Sequence, residues 1–159
     1  MKPALMTTMA AAFALLTAPT AMAEDHALVL TGVGRFAIFA DAASVTPDGD
    51  GVRMRSLQVS EADMVIGGVA YSGGWSWWRF DCAAQMADRL DFASLRADGT
   101  EGPITPENAP PYAVAPGGDA ADLAAVACRT DRRPADVTSA AEAVKLGQAL
   151  LSGEVEDPR

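Results

Sequence analysis

The chain has 159 residues, with 21 Asp and Glu against 12 Lys and Arg, a net charge of −9, and half its residues hydrophobic. That size suits one domain, and that acidity gives no electrostatic route to nucleic acid or to anionic lipid. A single His and two Cys leave little for metal or nucleophilic chemistry.

The N-terminus predicts a secretory signal peptide over residues 1–23. Lys2 supplies the positive start, MAAAFALL (9–16) the apolar stretch, and Ala21-Met22-Ala23 the small-residue cleavage site. The apolar run is too short to span a bilayer, which needs about 20 residues. No later segment is long enough either, so the expected protein is exported, periplasmic or secreted, without a membrane span.

Residues 24–34 mix small, polar and apolar types and read as a lead-in. RFAIFA (35–40) alternates as a half-buried strand. DAASVTPDGDG (41–51) has turn chemistry. VRMRSLQV (52–59) alternates Val52 and Met54 against Arg53 and Arg55, then changes parity at Leu57, which predicts a bulge near Ser56. SEAD (60–63) reads as a connection and MVIGGVAYS (64–72) as a strand weakened by Gly67 and Gly68. Gly73 and Gly74 are expected to turn the chain into the strand WSWWRFDC (75–82), and RLDFASL (89–95) gives another. Five prolines between 103 and 118 allow a loop or one short edge strand around Tyr112 and Val114. A short helix follows from Asp119 to Cys128. A linker and a C-terminal helix complete the chain, with Ser139 and Glu142 in capping-box spacing. Strands first and helices last predict an α+β fold. It has an antiparallel sheet of about five to six strands, the helix before Cys128 and the C-terminal helix.

WSWWRFDC holds all three tryptophans. Strand alternation puts Ser76, Trp78, Phe80 and Cys82 on one side and Trp75, Trp77, Arg79 and Asp81 on the other. In an oxidising compartment Cys82 and Cys128 read as a disulfide; a metal pair is the weaker reading, with no CxxC present. Closing that loop would constrain the unfolded chain by about 4 kcal/mol. The Cys82 side is then the core. The opposite side offers a candidate binding surface of Tyr71, Trp75, Trp77 and Arg79, since Trp and Arg dominate interaction hot spots. The competing reading lays the C-terminal helix over that side and buries both tryptophans.

DGDG (48–51) lacks the oxygen ligands of a calcium loop at positions 52 and 59, both Val, and reads as a hairpin turn. The single His26 lies near the start of the chain, in an end expected to be mobile, so no Ser–His or Cys–His pair is expected. Paired carboxylates stay open as a small-hydrolase alternative, but no pair stands out among 21 acids.

Asp41, Ser44 and Val45 follow the first strand, and the turn Asp48–Gly51 comes next. Tyr71–Ser72 precede the central strand and Asp81–Cys82 close it. Tyr112, Val114, Pro116, Gly117 and Cys128 complete the order. In this order the chain resembles the surface-adhesin protein E-like family of exported bacterial proteins over residues 35–128. It departs from that family in carrying Tyr112 where a Trp usually precedes the Pro-Gly. The resemblance implies an antiparallel sheet with a helix and no catalysis; the domain is expected over 24–128, and no cofactor is expected. It leaves 129–159 as linker, helix and tail. The expected function is a non-catalytic binding or envelope-associated role with a protein partner at or outside the cell envelope. A structural or assembly role is the alternative.

Overall fold

A computed structural model describes residues 25–157; the signal-peptide expectation lies outside these residues. The fold is α+β. Eight strands form an antiparallel sheet: β1 (Leu28–Val33), β2 (Ala37–Asp48), β3 (Gly51–Ile66), β4 (Val69–Asp81), β5 (Met86–Arg89), β6 (Asp91–Arg96), β7 (Thr105–Pro106) and β8 (Tyr112–Ala113). Helices α1 (Asp119–Ala127) and α2 (Ala140–Leu151) follow. The main path runs β1-β2-β3-β4-β5-β8, and β6 also pairs with β4.

The helices cover opposite faces of the sheet. On one face Leu28, Leu30, Phe39, Leu57, Val59 and Trp75 pack with Ala143 and Leu150 of α2. On the other, Val29, Ile38, Met54, Trp78 and Phe80 pack with Leu123 and Val126 of α1. This two-sided cover explains two departures from the sequence reading. The stretch 24–34 contains β1, because a strand buried on both faces shows no alternation: Leu28, Val29 and Leu30 are all buried. The parity change after Met54 marks the switch from one helix to the other. Pairing of β3 with β4 runs without a shift from Val52 to Val59 and is irregular only later, between Val59 and Met64; next to Ser56 the irregularity is on the β2 side, where the extra residues between Asp41 and Thr46 face Arg53–Arg55. Apart from that cover, the residues SEAD continue β3 rather than end it, in a hairpin arm exposed from Glu61 to Ile66.

Two turns also move. β2 extends to Asp48, and Pro47 is tolerated because β1 pairs with β2 only as far as Asp41, so the outer edge there is free. Gly67 and Gly68 make the hairpin turn, with φ of 59° and 80° in the left-handed region. Gly73 and Gly74 instead lie within β4, where a Cβ would run into the Gln58 carbonyl and the Phe92 ring. Glycine is needed at both for close packing rather than for turning.

The Cys82–Cys128 disulfide is present and ties the end of β4 to the C-cap of α1. Ser139 caps α2 as expected, accepting from the Glu142 N–H, while the Glu142 carboxylate reaches back one residue further, to the Thr138 N–H. Segment 129–139 is held against the edge strand: the Asp136 carboxylate accepts from the Leu30 N–H at 2.7 Å, and Leu28 bridges to Val137. With α2 in the core, the residues after Cys128 are an integral part of the sheet's cover.

Candidate functional site

The register of β3 and β4 opposes Arg53 to Arg79, Arg55 to Trp77 and Leu57 to Trp75. All six side chains point to the α2 face by alternation. α2 covers the Leu57–Trp75 end, and the other end carries a ladder of cations and rings. The Arg53 guanidinium lies 4.4 Å from the Trp77 ring centroid. Arg55 lies 4.4 Å from Trp75 and 5.7 Å from Trp77, so two guanidinium groups lie near the Trp77 ring. His26 stacks on Trp75 at 5.1 Å. Each such contact contributes about 0.5–2 kcal/mol, more as water is excluded.

The three arginines differ in how they are held. Arg55 makes a bidentate pair with Glu101 at 3.0 and 2.9 Å. Arg79 donates to Asp50 at 2.7 Å, with Asp48 at 4.0 Å, so the acids of the DGDG turn hold an arginine. Arg53 has no acidic partner among the described residues, and its Nε is buried without a hydrogen bond. A guanidinium fixed on a ring face yet lacking an anion is poised to accept one.

Of the four residues expected to form the binding surface, the structure brings two together. Trp77 and Arg79 are half-buried and adjacent to Arg53 and Arg55. Trp75 is corrected to a core residue: it is 2 % exposed under α2. Tyr71 is corrected to the far end of β4, opposite Met64, roughly 20 Å from Trp77 at ~3.3 Å per residue.

Beside the ladder lies an open hollow of ≈ 300 Å³ lined by Asp25, His26, Asp41, Ser44, Arg55 and Trp77. His26 is not in a mobile end. Its Nδ1 bonds the buried Asp41 carboxylate at 2.7 Å, and its backbone N–H donates to the Thr138 carbonyl. Asp41 also accepts from the Ala27 and Ala43 N–H groups. Ser44 donates its hydroxyl proton to the Asp41 carbonyl and accepts from the Arg55 N–H, so it makes no pair with His26. Sequence reasoning missed His26, Asp41, Arg53 and Arg55 as site residues. One signal was available, since Arg53 and Arg55 alternate along one strand and must share a face with each other. Among the described residues no cluster of His, Cys, Asp or Glu could hold a metal ion, and no helix is long and apolar enough to cross a membrane.

Comparison with protein-family models, with curated proteins and with solved structures finds no match.

Proposed function

We propose that the protein is an exported, non-catalytic binding module that meets a protein partner at the cell envelope or outside the cell. The contact is the open end of the α2 face: Trp77, Arg53 and Arg79 beside the His26–Asp41 hollow. The observation that carries this reading is Arg53, a cation stacked on Trp77 with no anion of its own. A partner carboxylate would complete it, and Trp77 would supply the aromatic anchor that interfaces favour. The resemblance to surface-adhesin protein E-like proteins, the disulfide and the predicted leader agree with export. Cell fractionation of the oxidised protein tests the reading. The wild type is expected to be retained with envelope or surface material. Arg53→Ser/Trp77→Ser is expected to be released while keeping its circular dichroism. Equal retention of the two overturns the contact face.

One observation favours an assembly role as a second reading. The tip of the β3–β4 hairpin exposes Val65 at 71 % and Ile66 at 64 %. Sedimentation of the wild type against Ile66→Lys distinguishes them: a concentration-dependent oligomer lost in the variant supports assembly, and a monomer in both removes it.

A further inference from the structure

A second hollow lies on the opposite face of the sheet, between β3, β4, the N-terminal end of α1 and the strap 112–115, with a volume of ≈ 390 Å³. Small-molecule sites span roughly 300–1,000 Å³, so this one suits a ligand of one or two rings. Its floor is Trp78, whose indole N–H donates to the Ser56 hydroxyl at 2.8 Å, and its apolar wall includes Ile38 and Leu123.

Three polar residues from three separate elements line this hollow: Gln58 of β3, the exposed Tyr112 of β8, and the exposed Asp119 of α1, which also borders the neighbouring hollow beside Gly32. Among the described residues none of the three makes a side-chain hydrogen bond or ion pair. Polar groups that line a hollow without internal partners are left to bond water or a ligand. Arg89 is different, because it is held by the Ser76 hydroxyl at 2.9 Å and by Glu107 at 3.2 Å. Burial keeps the Tyr112 phenol above its ordinary value near 10, with Arg89, Asp119 and Glu107 all acting on it, so it stays a neutral donor and acceptor.

The inventory of groups sets the ligand class. Gln58 and Tyr112 each donate and accept; Asp119 only accepts. A cationic amine would serve Asp119 but leave both donors unmet, and it would stand near Arg89. A carboxylate or phosphate would be repelled by Asp119 and would find Arg89 already paired. Vicinal hydroxyls each donate and accept around a compact ring whose C–H face suits the apolar wall. We propose that this hollow is a binding site for a neutral saccharide, held by Gln58, Tyr112 and Asp119 over the edge of Trp78. It lies apart from the Trp77–Arg53 face and does not depend on the function proposed for that face.

Proton–nitrogen correlation spectra of the oxidised protein test this. The probes are glucose, galactose, mannose, N-acetylglucosamine, cellobiose and chitobiose, with putrescine as the cationic comparison. The Trp78 indole and Gln58 side-chain amide signals are expected to shift saturably with at least one saccharide. Asp119→Asn and Tyr112→Phe, both at exposed positions, are expected to weaken that binding by roughly three- to tenfold each, the usual loss when one hydrogen bond is removed. Arg53→Ser should leave it unchanged. The proposal is overturned if no saccharide moves these signals, if the affinity survives both substitutions, or if putrescine binds the same residues more tightly than any sugar.

Discussion

Trp75 and Trp77 are two positions apart, on one face of one strand, and the structure gives them different work. Trp75 fills the core under α2 at 2 % exposure, while Trp77 belongs to neither core cluster. Trp75→Ala should therefore cost about 3–5 kcal/mol, as large aromatic truncations in cores do. Trp77→Ala should cost about 1–2 kcal/mol, the value of its guanidinium contacts. Urea unfolding of the two variants checks the gap. Glu142 gives a second test. The Thr138 N–H and the Ser139 side chain hold its carboxyl below the ordinary value near 4.5. A lowered carboxyl contributes stability above its ordinary value and loses it as pH falls through the lowered one. Glu142→Gln should thus be less stable than the wild type at neutral pH, and the two should converge in strong acid. Denaturant midpoints across pH measure it. The pairing of side chains onto faces was legible from alternation: Trp78 and Phe80 share the α1 side, Trp75 and Trp77 the other. Which part of a face a helix covers was not, because coverage depends on where α2 lands and no local pattern encodes that.

The order of strands and helices could be read where turns carry glycines or prolines and where Ser139 starts α2, but not at Cys82–Gln85 or Leu90, which divide β4, β5 and β6 with neither residue type. Element ends were misread where one residue type serves two purposes. Gly73 and Gly74 look like a turn but relieve crowding inside β4, and the run from Leu28 to Leu30 hides a strand because both its faces are buried. The disulfide was legible from compartment and cysteine count, and it joins β4 to α1 beside the core cluster that Trp78 and Phe80 share with Leu123 and Val126. It closes a loop of sequence separation 46, which constrains the unfolded chain by about 4 kcal/mol. Cys82→Ser/Cys128→Ser should lose a stability of that order, and reduction of the wild type should match the double variant. Calorimetry or guanidinium unfolding under oxidising and reducing conditions decides it. A loss below about 1 kcal/mol would mean that α1 docks without help from the crosslink.

For the molecule as a whole, covering a sheet from both sides with two short helices leaves an uncovered area on each face. On the α2 side the remainder holds Arg53, Trp77, Arg79 and the His26–Asp41 hollow; on the α1 side it holds the hollow above Trp78. Neither group could be assembled from the sequence, since residues 25–26, 41–44, 53–55 and 77–79 on one face, and Gln58, Trp78, Tyr112 and Asp119 on the other, meet only through strand register and helix docking. The net charge of −9 also concealed a local row of three arginines. Arg55 and Arg79 already hold Glu101 and Asp50, so Arg53 carries the central claim, that this acidic protein binds a partner through an aromatic face with one guanidinium that lacks an anion among the described residues. The most direct measurement places a photoreactive amino acid at Ala43, on the rim of that face, and at Lys145, on the exposed side of α2, in cells making the oxidised protein. A crosslinked partner is predicted from position 43 and not from position 145, and it should vanish when Arg53→Ser/Trp77→Ser is added. No crosslink from position 43, or one that persists unchanged in the double variant, would contradict the account.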